Sequence, residues 1–338
     1  MMRPAAILIA ALLLVIVAGA AGQRSMRAQV IVLSNSSPHI SVIDTRTHQV
    51  VRTADIPQMT AWTWNDDNNT YDGKHLWLGL RNPDTSDVEV ILLDLDTLQV
   101  SRRIPLGQDR TTMYIGKPSR HGQVYVSKHA SGELVSIHTS TFAVDTVKLP
   151  VNGGVACDID VVTTGPGTVE RAFVPTDNGN TVLSVDTVSK QVVGTAPLAG
   201  TRPFMLTASP DGSRVWVEER TGNSVTVLNA RTLDIVTRIP TAQTPIIGTF
   251  SPDGRVHYTG HAGDVTVMAH DTVTFRELWR AHVGSNPDKV GVHPSGAFVY
   301  ATVSREGQLA VIEARTGKVV ARVPLGTNPT GLFVRRLP

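Results

Sequence analysis

The chain has 338 residues, of which 41% are hydrophobic and 18% charged, with 31 Lys and Arg against 29 Asp and Glu. That composition excludes a disordered chain, and a formal charge of +2 with no basic run excludes a protein that tracks a phosphate backbone. A single cysteine, Cys157, closes no disulfide within the sequence, and 5% aromatics leave Val, Ile, Leu and Ala to build the core.

The first element is an export signal. Met1-Met2-Arg3 gives a positive start, Ala5 to Gly22 is apolar and uncharged, and Ala18-Gly19-Ala20 supplies the small residues of a cleavage site. The segment 1–22 reads as a cleaved signal peptide, with a retained membrane anchor as the second reading. Both place the remainder outside the cytoplasm: periplasmic, cell-surface or extracellular.

From residue 28 onward the apolar period is two, and Gly and Pro recur too often for helix. One pattern repeats seven times: an apolar strand, a polar residue, two spacers, then Thr or Ser. It ends at Thr47, Thr97, Thr141, Ser189, Thr232, Thr272 and Thr316. A period of roughly 44 residues is that of propeller blades, each a four-stranded sheet. The fifth copy shows the parts. A strand from Pro203 to Ala208 meets the turn Ser209-Pro210-Asp211-Gly212, where Pro presets φ and Gly accepts a positive one. Strands 214–218, 224–229 and 234–239 follow. The turn recurs as Ser251-Pro252-Asp253-Gly254 and, varied, as His293-Pro294-Ser295-Gly296. Blade 2 departs from it, with Trp62-Thr63-Trp64 and a long turn over 65–74.

The expected fold is all-β: a single seven-bladed propeller over 28–338, its blades four-stranded and antiparallel. Residues 29–33 match second strands of later repeats, and 326–334 looks like a first strand with nothing after it. One blade should therefore draw its first strand from 326–334 and the other three from 28–57, which removes the open edges of an unclosed ring.

These features resemble the YVTN-repeat, or surface-layer-protein-like, propellers. The residues that carry the likeness are the strand Val225-Thr226-Val227-Leu228-Asn229, the loop Gly326-Thr327-Asn328-Pro329, the Ser-Pro-Asp-Gly turns and Tyr125-Val126. The resemblance implies the fold and says little of function. The run from His293 to Tyr300 is similar to lactonase propellers, and Tyr71-Asp72-Gly73-Lys74 to a stretch of nitrous-oxide reductase.

Aligned copies give two columns. Ile31, Trp77, Tyr125, Phe173, Trp216, His257 and Tyr300 read as packing between blades. Asn35, Arg81, His129, Asp177, Arg220, His261 and Ser304 close the second strands and are all polar. They are expected at the end where blades connect, near the axis, where they would hold an anionic or carbonyl-bearing ligand. The inter-blade loops add Asp109, Arg110, Asp158, Arg202, Asn286, Asp288 and Lys289. From these, Asn35, Arg81, His129, Asp177, Arg202, Arg220, His261, Asp288 and Ser304 are the candidate binding residues. No HExxH, CxxCH or calcium-loop spacing occurs, and Asp66-Asp67-Asn68-Asn69 reads as an exposed turn. No cofactor is called for, although haem and copper stay open. The expected function is that of an exported, non-catalytic binding or scaffold propeller, docking another exported or membrane protein or a small anionic ligand. The alternatives are a redox-associated accessory subunit and a lactonase-like hydrolase.

Overall fold

The computed structural model describes residues 26–34, 39–56, 64–65, 72–164, 169–198 and 200–338. The segment 1–22, Asn35, Trp62-Thr63 and the run Asp66 to Asn69 lie outside the described residues. Seven sheets stand around an axis, and the chain enters blades 3 to 7 on their inner strands. Blade 5 runs outward through Pro203–Ala208, Arg214–Glu219, Ser224–Asn229 and Ile235–Pro240. Blades 6 and 7 repeat this over 245–282 and 287–324. Blade 3 runs from Met113–Ile115 to Val144–Lys148, and blade 4 splits its inner strand into Val155–Ala156 and Asp160–Thr164.

Blade 1 closes the ring as expected. Its strand order is Pro329–Arg336, Ala28–Ser34, His39–Asp44, Gln49–Asp55. The joining pair is antiparallel, with Ala28 opposite Arg336, Val30 opposite Val334 and Val32 opposite Leu332. Blade 2 differs from the expectation. Its described sheet has three strands, His75–Arg81, Asp87–Asp94 and Val100–Gln108, while Trp64–Asn65 pairs in parallel with Met113–Ile115 of blade 3. Inner strands of neighbouring blades run the same way along the axis, so a sideways pairing between two of them is necessarily parallel.

The recurring polar-x-x-Thr signal is a turn built by side chains; in blade 6 it lies at Asp271 to Thr274, two residues beyond the expected end at Thr272. The Asp94 carboxylate accepts from the N–H groups of Asp96 and Thr97 at 2.9 and 2.8 Å, and Asp271 accepts from Val273 and Thr274 at 3.0 and 2.6 Å. These backbone donors hold both carboxyls below the usual range, Thr97 and Thr274 contributing most. The next residue then takes a positive φ, 58° at Leu98 and 59° at Phe275, which turns the chain into the outer strand. At the other kind of turn, Gly212 sits at φ 68° and donates to the Ser209 carbonyl at 2.8 Å.

Much of the apolar core lies in seams between neighbouring blades, and one cluster runs on across the inner strands from Tyr114 of blade 3 to Val290 of blade 7. Ile31, Leu33, Ile40 and Phe333 of blade 1 pack on Leu76 and Leu78 of blade 2. Val30, Val32 and Leu332 pack on Tyr300, Leu309 and Val311 of blade 7. The expected packing column is buried throughout, no member being more than 2% exposed. In blade 6 the register gives that column to Tyr258, which pairs with Thr249 as Trp216 does with Thr207; the expected member, His257, is one residue earlier and lies in the seam between blades 5 and 6. Its ring is 4.5 Å from that of Trp216, its Nδ1 is 3.2 Å from Thr259 Oγ1, and its Nε2 is 3.6 Å from a carboxylate oxygen of Glu218. Gly248 makes the room, since a Cβ there would stand 2.3 Å from both Glu218 and His257. Outer strands carry the solvent face, as Gln49–Asp55 does along most of its length.

Two predictions follow from these seams. Phe333→Ala should cost about 3 kcal/mol in urea unfolding, the price of a large buried ring. Deleting 326–338 should go further and abolish a single cooperative transition, because the edge of Ala28–Ser34 and the seam to blade 7 both open; an unchanged transition would contradict closure. Blade 6 also holds three buried histidines whose charging is opposed by burial first: His257 well below the ordinary range, His261 at about 4, and His270 lowered. A histidine held neutral contributes full stability above about pH 6.5 and loses it as the unfolded chain takes up protons below that. The melting temperature of His261→Gln should therefore fall less than that of the wild type between pH 6.5 and 4.5.

Candidate binding site at the inter-blade end of the channel

Each inner strand of blades 5, 6, 7 and 1 begins at a proline, Pro203, Pro245, Pro287 and Pro329. The residue before each takes a positive φ: 54° at Arg202, 55° at Thr244, 60° at Asn286 and 53° at Asn328. The proline ring disfavours right-handed helix for the residue preceding it, and the left-handed bend brings the chain from the outer strand of one blade to the inner strand of the next. Four equivalent side chains thereby border one end of the channel. The sequence reading picks out Arg202 and Asn286 but not Thr244 and Asn328, although an X-Pro at fixed register marks all four.

The charges gather on one side of this mouth. Asp177 ends the second strand of blade 4 and is buried. Arg202 grips it with two bonds, Nε at 2.7 Å and Nη2 at 2.8 Å. Arg220, at the end of the second strand of blade 5, lies 4.0 Å from the same carboxylate, and its Cζ sits 4.0 Å over the ring of Phe204. A single carboxylate thus faces two guanidiniums, and Arg202 holds the hydrogen bonds. Tyr114 packs edge-on against Phe204 at 6.3 Å and lies 5.9 Å from the His129 ring. His129 Nδ1 is 2.8 Å from Thr111 Oγ1. Burial lowers its pKa, against Asp109 and Asp177 and together with Arg220, so the ring is neutral at neutral pH.

Opposite this group, Asn286 donates to Asp288 at 3.2 Å and to Ser304 Oγ at 2.5 Å. Burial pushes the Asp288 carboxyl up to about 6, against the pull of Ser304, Lys289 and Asn286. Between the two groups lies a cavity of about 230 Å³, walled by Phe204, Arg220, Ile246, Ala262, Asn286 and Asp288.

The structure thus brings together Asp177, Arg202 and Arg220 with His129 beside them, and Asp288 with Ser304. It does not bring in the rest. Arg81 is spent on blade 2, donating to the Asp109 carbonyl at 3.0 Å and to Ser86 Oγ at 3.2 Å. His261 is wholly buried with Nδ1 on the Thr266 carbonyl at 3.2 Å; it pairs with Pro245 as Glu219 does with Pro203, one residue short of the place of Arg220, and strand alternation turns it to the other face while Ala262 lines the mouth. Asn35 lies outside the described residues. Asp109 is buried and caps the N–H groups of Thr111 and Ser131, and Lys289 is buried completely. Asp158 accepts the Leu206 N–H at 2.9 Å and ties the inner strands of blades 4 and 5 together. Cys157 is buried, and burial raises its thiol, which keeps it protonated.

The other end of the channel has a larger hollow, about 660 Å³, bordered by the turns after the inner strands of blades 5 and 6. Its charges serve the fold: Lys117 pairs with Asp160 at 2.7 Å, and Asp160 also accepts the Ala208 N–H at 2.8 Å. Among the described residues, no three His, Cys, Asp or Glu side chains are grouped to hold a metal ion, and no helix is long and apolar enough to cross a membrane.

No family model and no curated protein matches the sequence. Solved structures do match in shape. A protein provisionally named a 6-phosphogluconolactonase, from Bacteroides fragilis NCTC 9343, superposes with a TM-score of 0.72 at 12% identity, over 93% of this chain and 99% of that one. A functionally unknown protein from Desulfotomaculum acetoxidans DSM 771 gives 0.71 at 16%, over 92% and 99%. The dihydro-heme d1 dehydrogenase NirN, solved in complex with DHE, gives 0.63 at 15%, over 88% of this chain and 64% of that one. The likeness is one of fold.

Asp288 gives this site a stability signature. A carboxyl whose folded pKa is raised costs stability once it ionises, so its burden is absent below about pH 4 and complete above about pH 6. Asp288→Asn should raise the melting temperature by about 2–4 °C at pH 7.5, and the gain should vanish towards pH 4.

Proposed function

We propose that this chain is a binding propeller that seats a small carboxylate-bearing ligand at the inter-blade end of its channel. The observation that carries this is Arg220. Its guanidinium is held flat on Phe204 and stands 4.0 Å from a carboxylate already engaged by Arg202. A guanidinium so placed keeps its donor fork for an incoming anion, and the ring beneath fixes its plane. Arg202, Asp177 and Arg220 together carry one net positive charge, which suits a single carboxylate.

The finer readings fit around this. The strand and loop motifs resemble YVTN-type repeats, and the opening segment 1–22 supports export, so the ligand would be met outside the cytoplasm. Lactonase-type and haem-linked readings draw on the likeness of the His293 to Tyr300 run and on the names of structural neighbours at identities where likeness shows only the fold.

Thermal-shift titration with acetate, 4-methylpentanoate and succinate tests the reading, since a ligand of the folded state raises the melting temperature with concentration. At least one carboxylate should stabilise the wild type. Arg220→Ala should weaken it about tenfold or more, the worth of a charge-assisted bond. Arg102→Ala, at the exposed rim of blade 2, should leave it unchanged. No stabilisation by any carboxylate would sink the proposal.

A further inference from the structure

The cavity beside Arg220 is polarised from one wall to the other. Blades 4 and 5 present the positive group, with the Arg220 guanidinium on Phe204. Blade 7 presents Asp288, whose carboxylate takes one bond from Asn286 at 3.2 Å. Between them, Ile246 and Ala262 of blade 6 and Phe204 of blade 5 form an apolar wall. Thr330 of blade 1 completes the lining, and it is 1% exposed with no hydrogen-bond partner for Oγ1 among the described residues. A buried hydroxyl without a partner costs roughly 1–3 kcal/mol, which a polar ligand atom would recover. The volume, about 230 Å³, is below the 300–1,000 Å³ typical of drug-sized sites and suits a compact metabolite.

A carboxylate alone would use one end of this cavity and leave Asp288 on the opposite wall without a partner on the ligand. An amine alone would do the reverse. Resting on the carboxylate reading above, we infer that the ligand is a small amino-carboxylate with an apolar body. Its carboxylate lies on Arg220, its ammonium on Asp288, and its hydrocarbon part on Phe204 and Ile246.

Isothermal titration with three isosteric probes tests this: L-leucine, 4-methylpentanoate, which lacks the amine, and 3-methylbutylamine, which lacks the carboxylate. Leucine should bind the wild type about tenfold or more tighter than either. Asp288→Asn should bring leucine down to the level of 4-methylpentanoate, and Arg220→Ala should bring it down to that of 3-methylbutylamine. The two variants are checked for folding by their melting temperatures, and Asp288→Asn is expected to melt no lower than the wild type at pH 7.5. If 4-methylpentanoate binds as tightly as leucine, or binds when leucine does not, the ammonium pairing is overturned and the carboxylate site stands. If 3-methylbutylamine binds and neither carboxylate does, both readings fall. Failure of all three probes to bind overturns this inference too.

Discussion

The antiparallel pairing of Ala28–Ser34 with Pro329–Arg336 is the contact on which the rest depends. A propeller's core lies in the seams between blades, and each seam needs a blade on both sides. Without this pair, blade 1 loses its inner strand, Val30 and Val32 lose Leu332 beside them, and Leu33 and Ile40 lose Phe333. A repeat array open at that point would present an unpaired strand edge and two exposed apolar faces. Backbone hydrogen bonds between the two ends of the chain also spare the fold the staples that a single buried thiol cannot supply. The channel is defined only once the ring is closed, and so is the relation between Arg220 on blade 5 and Asp288 on blade 7.

Within that ring, the ends of the strands are set by local chemistry that repeats. The Asp94 and Asp271 turns take two backbone N–H groups each, and the positive φ that follows redirects the chain. These turns carry a strong periodic signal because a side-chain acceptor must stand three residues before the Thr or Ser whose N–H it takes, a ring nitrogen serving at His138 and a carboxylate at Asp186. Blade number and the split blade were legible for that reason: they depend on spacing along the chain. The parallel pairing of Trp64–Asn65 was not, because blade 2 lacks the Ser-Pro-Asp-Gly turn that marks the inner strands of blades 5 and 6.

The candidate site was legible as positions and not as orientations. Column alignment puts Asp177, Arg220 and His261 at equivalent places, but the backbone gives that place in blade 6 to Ala262: Pro203 and Pro245 pair with Glu219 and His261, and the N–H groups of Arg220 and Ala262 reach the Arg202 and Thr244 carbonyls. A slip of one residue turns a strand side chain to the other face. Arg220 finds Phe204 and a shared carboxylate, whereas His261 finds the Thr266 carbonyl of its own blade and is sealed in. Arg81 finds a carbonyl and a hydroxyl of blade 2 and is used up there. The partner of each lies on another strand or blade, and alignment of one column carries no information about it.

This separation of position from orientation explains how such a fold can hold opposite charges across a small cavity. A ring of repeats supplies one equivalent position per blade, each free to vary because the seams, not the mouth, hold the molecule together. Burial at the mouth is uneven. Asp288 sits deep enough that its carboxyl is pushed up to about 6, while Arg220 stays in reach of solvent over an aromatic face. An ionised carboxylate held at that cost, although Asn286 and Ser304 bond it and Lys289 attracts it, is a poor choice for stability alone. Its physical sense is as half of a pair completed by a ligand cation, with Arg220 across the cavity to take the other end.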